Sequence, residues 1–304
     1  MASRTNLERV LSEGKFAVTA EIGPPKGSDP EKIISKAEIV KGYADAFNIT
    51  DNQTAVVRLS SMGGSIILLK NGLEPIMQIT CRDRNRIALQ SDILGAASVG
   101  IKNILLLTGD HQSFGNHPSA RGVFDLDSIQ LIKIVKDMRD NGIFQSGDKI
   151  LSGNPDVFIG AAANPFADPY ELRADRLEKK IEAGADFIQT QSVFNVDKFN
   201  KWMDEIRSRG LDKKIHILAG ITPLKSLKMT ERMKFYVPGV EIPDNMYNRM
   251  KETKDPLKEG HDIALELIDE IKKIKGIQGI HITALFWEDI IPDLIKESNL
   301  YPRP

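Results

Sequence analysis

The sequence of 304 residues contains a single cysteine, Cys81. One thiol cannot form a disulfide within the chain, and it cannot supply the four thiolates of a zinc or iron–sulfur site. His-Glu-x-x-His is absent, and His111 and His117 stand six residues apart in a loop, which is not a helical metal-ligand spacing. The sequence therefore predicts that this chain alone binds no metal, and we interpret Cys81 as a small apolar residue.

Charge of one sign and long hydrophobic runs are also missing. The 41 basic and 42 acidic residues give a net charge of -1, so the chain has no excess positive charge with which to hold nucleic acid. No run approaches the roughly 18 apolar residues of a membrane span, and the first ten residues lack the apolar stretch of a secretory signal. We therefore expect a cytoplasmic protein without a nucleic-acid or membrane partner.

The two commonest glycine-rich phosphate cradles, Gly-x-Gly-x-x-Gly and Gly-x-x-x-x-Gly-Lys-Ser/Thr, do not occur. What the chain has instead is a regular alternation of short apolar runs with longer amphipathic segments, the pattern of parallel βα units. The predicted strands are Phe16 to Ile22, Ala46 to Thr50, Pro75 to Thr80, Asn103 to Thr108, Val157 to Ala162, Asp186 to Gln191, Lys214 to Ala219 and Gly279 to Leu285. Eight units in one series predict an α/β fold, a closed (β/α)8 (TIM) barrel in a single domain over residues 1–304. The alternative, an open doubly wound sheet, is disfavoured by the missing cradles.

Local signals mark helix ends and one functional loop. Gly100, Gly184 and Gly276 follow helical segments and predict helix C-termini just before the next strand. The long connection from Asp110 to Leu126 follows a strand, and we interpret it as functional because barrel active sites are built there. A second long connection runs from Asn141 to Asp156.

Polar side chains stand at the carboxyl ends of the strands, which converge on one cavity in a barrel. Glu21 ends a largely apolar strand, and partial burial would raise its pKa and suit it to deliver a proton near neutral pH. A barrel-interior glutamate paired with a basic neighbour is the equal alternative. Asp110 is a second carboxylate that could stabilise developing positive charge, or a turn or helix-cap aspartate. Phe286 and Trp287 are either packing residues or an aromatic wall for a planar ligand.

Five segments resemble, in order, those of methylenetetrahydrofolate reductases. They are Phe-Ala-Val-Thr-Ala-Glu-Ile-Gly-Pro-Pro-Lys-Gly (16–27), Gln-Ile-Thr-Cys (78–81), Leu-Leu-Leu-Thr-Gly-Asp (105–110), Glu-Ala-Gly-Ala-Asp-Phe-Ile-Gln-Thr-Gln (182–191) and Ala-Gly-Ile-Thr-Pro (219–223). The resemblance covers essentially the whole chain, and its specificity comes from the ordered set. It implies a barrel that passes a hydride through a reduced flavin, FAD in preference to FMN, to 5,10-methylenetetrahydrofolate, giving 5-methyltetrahydrofolate.

The resemblance also implies roles for individual residues. Glu21 matches the general acid that helps the folate ring open to a 5-iminium cation, and Asp110 matches an aspartate whose charge favours that cation. The positions implied to contact the flavin are Thr50, Gln78, Thr108, Gly109, Asp110, His111, Asn164 and Lys180. The positions implied to contact the substrate are Gln191, Leu227 and Trp287.

The sequence departs from the family at several of these positions. The family often has histidine at Gln78, arginine at Thr108, and tyrosine at Asp51 and Asn164. Leu227 stands where the family has a ring-stacking phenylalanine, and Trp287 where it has a substrate-contacting arginine. These changes leave open the flavin type and the direct use of NADH or NADPH.

The segment Gly-Ile-His-Ile-Thr-Ala-Leu-Phe-Trp-Glu-Asp (279–289) resembles the form of the family found in anaerobic one-carbon metabolism. Members of that form can work with a cysteine-rich partner subunit that supplies zinc or iron–sulfur sites, and the family resemblance implies NAD(P)H or an electron-transfer protein as donor. A homo-oligomer is a separate expectation, since the sequence leaves the oligomeric state open. Two alternatives stay open: a pterin-binding barrel that moves a methyl group between folate and a corrinoid protein, and a non-catalytic folate-binding subunit. Retention of both Glu21 and Asp110 argues against the latter.

Overall fold

Eight parallel strands form the closed barrel that the sequence predicts. In the computed structural model, which describes residues 3–304, the strands follow one another around the barrel in chain order, and the last pairs with the first. They are β1 Ala17–Ile22, β2 Ala46–Ile49, β3 Pro75–Thr80, β4 Asn103–Leu107, β5 Phe158–Ala163, β6 Phe187–Ser192, β7 His216–Ile221 and β8 Gly279–Ile282.

The predicted strand ends differ from the observed ones by up to three residues. The prediction for β8 runs to Leu285, but Leu285 and Phe286 have φ of 44° and 66°, which an extended strand cannot contain. The prediction for β7 begins at Lys214, which instead closes a turn through a bond from its backbone N–H to the Leu211 carbonyl. The observed strand ends therefore differ from the predicted ones where residues adopt the backbone conformation or hydrogen bonds of the connecting turn.

The helices cover the outside of the barrel, except for the first, which lies across its amino-terminal end. They are α1 Asn6–Ser12, α2 Glu31–Val40, α3 Ser61–Lys70, α4 Arg86–Ser98, α5 Ser128–Asp140, α6 Arg173–Ala183, α7 Val196–Ser208, α8 Leu227–Tyr236, α9 Asp244–Glu252, α10 Pro256–Ile271 and α11 Ile291–Glu297. Gly100 and Gly184 have φ of 90° and 113° and follow the ends of α4 and α6, as predicted. Gly276, with φ of 92°, was predicted to end a helix as well, but α10 ends at Ile271 and Gly276 lies in the turns that follow. Across residues 3–304, no helix has both the length and the apolar character to cross a membrane.

The barrel interior is apolar at its amino-terminal end and is closed there by α1. Leu7, Val10 and Leu11 of this helix pack on interior residues of the strands, Phe158 and Phe187 among them. The Phe187 ring lies so close to β5 that a Cβ atom on Gly160 would come within 2.3 Å of it. Since this end is filled, a ligand can approach the interior only from the carboxyl ends of the strands.

Candidate active site

A layer of hydrogen-bonded polar side chains lies in the interior above the apolar end. Asn48 Nδ2 donates to Gln189 Oε1 at 2.6 Å, and Gln189 Nε2 donates to Thr19 Oγ1 at 3.0 Å. His281 Nδ1 lies 3.0 Å from Thr19 Oγ1, and burial lowers the pKa of His281 to about 4. The imidazole is therefore neutral at physiological pH. This layer forms an uncharged floor beneath the open end of the barrel, at the carboxyl ends of the strands, which we call the mouth.

Four of the predicted site residues face the interior directly above this floor. Successive side chains of a strand point to opposite faces, so Glu21, Thr50 and Gln191 lie on the same faces as Thr19, Asn48 and Gln189, two residues further along. Gln78 occupies the same face of β3 as the interior residue Ile76, whose Cα pairs with Asn48. The sheet thus points Glu21, Thr50, Gln78 and Gln191 into the same interior, towards the carboxyl ends of the strands.

Glu21 is half-buried near the end of β1, and Gln53 Nε2 donates a hydrogen bond to its Oε1 atom at 3.4 Å. Burial raises the pKa of Glu21 to about 7. The Gln53 hydrogen bond and the cations Lys36 and Arg58 oppose that shift, whereas the like charge of Glu288 adds to it. Near neutral pH the carboxyl group is therefore present in both protonation states, as a general acid requires.

A strained loop after β2 brings Gln53 to Glu21. Three residues of this loop that carry side chains have left-handed backbone: Asn52, Thr54 and Ala55, with φ of 46°, 55° and 55°. Such conformations are costly for residues with a Cβ atom and persist only where neighbours hold them. The loop after β4 is one such neighbour, since a Cβ atom on Gly115 would lie 1.8 Å from the Ala55 carbonyl oxygen.

Arg82 links the same loop to the residues that follow β4. This arginine is 2% exposed, and its Nη2 atom donates to the Asn52 carbonyl at 3.2 Å. Its Nη1 atom donates to the Asp110 carbonyl at 3.3 Å. Asp83 forms an ion pair with Arg82, with Oδ2 lying 2.7 Å from Nη2. Asp110 itself is exposed. Arg82 therefore fixes the backbone of Asp110 relative to the Gln53 loop while the aspartate remains accessible.

The other predicted residues after β4 are shaped by close packing. Ser128 N, in the first turn of α5, donates to Thr108 Oγ1 at 3.2 Å. Gly109 has φ of 91°, and a Cβ atom there would lie 3.0 Å from the Thr80 Cβ, so both conformation and space favour glycine. His111 is exposed and its Nδ1 atom lies 2.8 Å from Ser113 Oγ, which fits a hydrogen-bonding role.

Thr50 is the feature that best fits a bound polar cofactor such as flavin. Thr50 is 2% exposed, yet its hydroxyl has no hydrogen-bond partner. Leaving a buried polar group unpaired costs about 1–3 kcal/mol, and a polar ligand atom at the mouth would remove that cost. The residues present therefore fit the group that the sequence resemblance implies.

Lys180 and Asn164 lie outside the interior layer. Lys180, on α6, is 9% exposed and donates to the carbonyl of Ala162, and burial lowers its pKa to about 8. Asn164 follows β5, where its Oδ1 atom accepts from Phe166 N at 3.1 Å. Its amide packs against Gly239, on which a Cβ atom would come within 1.9 Å of Nδ2. Both side chains are thus engaged by the protein.

The predicted substrate contacts lie on three elements, each at or after the carboxyl end of a strand. Gln191 is half-buried on β6, with its Oε1 atom accepting from Ser192 N at 3.3 Å. Leu227 is half-buried at the start of α8, and Trp287, after β8, is 8% exposed and part of the apolar core. Lys225 Nζ lies 5.9 Å from the centre of the Trp287 ring. Trp287 therefore packs in the apolar core, and the ammonium group of Lys225 lies over its ring.

Sequence reasoning missed Gln53, Lys36 and Glu288 as neighbours of Glu21. Gln53 and Glu288 follow strands closely, so the strand-end rule had the signal to include them. Lys36 lies on a helix and carried no such signal, because only the pairing of β1 with β8 brings α2 to the segment after β8. Within residues 3–304, no group of three His, Cys, Asp or Glu side chains could hold a metal ion.

A sequence profile described as methylenetetrahydrofolate reductase matches residues 6–299. Methylenetetrahydrofolate reductase 2 of Saccharomyces cerevisiae is 30% identical over 242 residues, which are 76% of this chain and 37% of that protein. The 5,10-methylenetetrahydrofolate reductase of Escherichia coli is 24% identical over 296 residues, 93% of this chain and 92% of the relative. The chain therefore spans about a third of the yeast protein but nearly all of the bacterial one.

One solved structure shares the fold over the whole chain. An uncharacterized protein from Clostridium thermocellum, which binds two copies of 5-methyl-5,6,7,8-tetrahydrofolic acid, has a TM-score of 0.71 at 18% identity. The match covers 97% of this chain and 99% of that one. At this identity the likeness concerns the fold alone.

Proposed function

This chain belongs to the methylenetetrahydrofolate reductase family, and on that premise we propose that it reduces 5,10-methylenetetrahydrofolate to 5-methyltetrahydrofolate with a bound flavin. The observation that carries the proposal is Glu21, a carboxyl group with a pKa of about 7 at the open end of the barrel. Glu21 faces the interior near the carboxyl end of its strand, and barrel enzymes carry their catalytic groups at such positions.

Glu21 is the proposed general acid. Opening the five-membered ring of the substrate requires a proton on the nitrogen that leaves the bridging carbon. A carboxyl group with a pKa near 7 is substantially protonated at neutral pH and is still acidic enough to release the proton. The cation produced by ring opening is then favoured by the negative charge left on Glu21 and by Asp110.

A bound flavin, FAD or FMN, would supply the hydride that reduces the cation. We assign its contacts to Thr50, Gln78, Gly109 and Lys180, and the unpaired Thr50 hydroxyl supports this assignment. The other assigned contacts are Thr108, Asp110, His111 and Asn164. Gln191, Leu227 and Trp287 are assigned to the folate. The Clostridium thermocellum protein of the same fold, which binds 5-methyl-5,6,7,8-tetrahydrofolic acid, supports a folate as the ligand.

The proposal extends to the setting of the reaction. Electrons would come from NAD(P)H or an electron-transfer protein, in the cytoplasm, and a cysteine-rich partner subunit would hold any zinc or iron–sulfur site. The single cysteine is consistent with that division of roles.

The visible absorption spectrum of the purified protein tests cofactor and substrate class together. We expect flavin bands that bleach when 5-methyltetrahydrofolate is added without oxygen. Glu21→Gln should keep the flavin bands and lose folate turnover by about a hundredfold or more, since the amide keeps the shape but cannot donate a carboxyl proton. Glu31→Gln, on the exposed first turn of α2, is the matched control and should behave like the parent.

Two results would contradict the proposal. A colourless protein that binds the folate would favour the corrinoid methyltransferase alternative. Normal turnover by Glu21→Gln would show that the proton comes from another group.

A further inference from the structure

The segment that follows β8 lies beside Glu21. Thr19 of β1 pairs with His281 of β8, so Glu21, two residues beyond Thr19, stands where the chain leaves β8. Leu285 and Phe286 then adopt left-handed backbone, and a one-turn helix, Glu288–Ile290, packs on α2. This turn brings Glu288 to the same side of the mouth as Glu21.

Glu288 is held there by an ion pair with Lys36 of α2. Lys36 Nζ lies 2.5 Å from Glu288 Oε1, and Glu288 is 9% exposed. Lys36 also lies over the Phe286 ring, 5.2 Å from its centre, while Lys225 Nζ donates to the Phe286 carbonyl at 3.1 Å. The ion pair thus holds a buried carboxylate that has no assigned part in the reaction, and two contacts of Phe286 hold the turn that carries it.

The charges that face Glu21 come from few elements. Glu288 is the like charge, Lys36 on α2 and Arg58 on the loop after β2 are the opposite charges, and Gln53 donates the hydrogen bond. His281, below on β8, is neutral at physiological pH. Burial and the Gln53 hydrogen bond have the larger effects on the pKa of Glu21, and the opposed charges of Lys36 and Glu288 adjust it further.

We propose that Lys36 and Glu288 are positioning residues that together set the protonation state of the Glu21 carboxyl group. Neither side chain needs to contact the substrate. Glu288 favours the protonated, donating form of Glu21, and Lys36 limits that influence by neutralising Glu288 and fixing its place. The catalytic meaning of the pair rests on the proposed function, but its effect on Glu21 does not.

The test is a direct titration of Glu21 in the purified full chain. Carbon-13 NMR of protein labelled at the glutamate carboxyl carbons follows its protonation, and the signal that disappears in Glu21→Gln identifies it. Glu288→Gln removes the like charge and frees Lys36, so the midpoint should fall by about one pH unit. Lys36→Gln should raise it by a similar amount, and the double variant should return it towards the parent.

Two further variants guard against a purely structural effect. Lys36→Arg keeps the charge and should keep the midpoint of the parent. Glu205→Gln removes one carboxylate of an ion pair with Arg209 on the outer helix α7 and should also leave it unchanged. An unchanged Glu21 midpoint in both Glu288→Gln and Lys36→Gln, or equal shifts in Glu205→Gln, would overturn the proposal.

The NMR readout separates this inference from the proposed function. If the midpoints move as expected while the protein neither bleaches with folate nor turns it over, the positioning pair stands and the assigned reaction fails. If turnover is normal and the midpoints do not move, the reaction stands and the pair has no such role.

Discussion

The side-chain amide of Gln53 donates a hydrogen bond to Glu21 Oε1 across 3.4 Å, from a loop whose backbone is left-handed at Asn52, Thr54 and Ala55. The left-handed residues turn the loop so that Gln53 reaches Glu21, and the strained backbone therefore makes this hydrogen bond to the acid geometrically available. A strained segment at a candidate active site is often part of how the site is organised.

Replacing Gln53 by leucine should change the pH dependence of turnover. The lost hydrogen bond stabilises the ionised form of Glu21, so its pKa should rise and activity should extend to higher pH, because the protonated acid is the active form. The maximal rate should fall by about tenfold or less, the worth of one hydrogen bond that orients the carboxyl group. Rates measured from pH 6 to 9 test this. Gln145→Leu, at an exposed loop position, is the control, and an alkaline limb that moves to lower pH would contradict the role of Gln53.

Gly109→Ala should release flavin, whereas Gly100→Ala should not. Both glycines are left-handed, with φ of 91° and 90°, so each substitution adds about 1–2 kcal/mol of backbone strain. Only at Gly109 would the new Cβ atom also meet Thr80 and Arg82, at 3.0 and 3.1 Å, beside the proposed cofactor contacts. The ratio of flavin to protein after purification gives the result. Equal losses in both variants would mean that strain alone is responsible and that Gly109 does not approach the cofactor.

Much of this architecture could be predicted from the sequence. Continuous apolar runs identify strands covered on both faces, and the position of Glu21 at the end of such a run correctly placed it at the mouth. Of the residues around Glu21, Gln53 and Glu288 stand shortly after strands and could have been included by the same rule, whereas Lys36 could not. The sequence did not show the left-handed turns that bring Gln53 and Glu288 near Glu21, nor the ion pair with Glu288 that holds Lys36, on a helix, in the same neighbourhood. Local patterns report which face a residue occupies, but not where a strained loop ends.

The apolar closure of the barrel shows the same limit. The short helix α1 was not among the predicted elements, because its seven residues are too few for a helical period to stand out. Its role becomes visible only when Leu7, Val10 and Leu11 are seen against the interior side chains of the strands. Tertiary contact, rather than intrinsic helix preference, stabilises a helix of this length.

His281 should make the fold less stable as the pH falls. Burial lowers its pKa from 6.5 to about 4, so below pH 6.5 the unfolded chain binds a proton that the folded chain does not. The stabilising contribution is complete above pH 6.5 and is lost between about 6.5 and 4, to an extent on the order of 3 kcal/mol. Urea unfolding of His281→Gln, which keeps a hydrogen-bonding group near Thr19, should show a shallower loss of stability over that range than the parent.

The difference between the variant and the parent isolates the effect of His281 on stability. Glu21 also titrates near this range, but its effect on the free energy of unfolding has the opposite sign. The raised pKa of Glu21 makes the folded chain bind a proton before the unfolded one does, so it adds stability as the pH falls through 7. That contribution is common to parent and variant and cancels in their difference. His117→Gln, at an exposed loop position, should leave the pH dependence unchanged, and a parental slope in His281→Gln would show that the buried imidazole does not titrate as described.

Arg303 should stabilise the fold through the buried carboxylate of Asp45. Arg303 Nη2 lies 2.6 Å from Asp45 Oδ2, and their side chains are 8% and 1% exposed. Asp45 also accepts from Val18 N at 2.7 Å, so the pair ties β1, the turn before β2 and the residues after α11 together. Arg303→Met keeps much of the apolar stem but leaves the carboxylate buried without its cation, and the free energy of unfolding should fall by about 3 kcal/mol.

Arg86→Met breaks an exposed arginine–aspartate pair with Asp125 and should change stability little. Urea unfolding of the two variants side by side gives the measurement, and equal effects would mean that burial adds nothing to the Asp45–Arg303 pair.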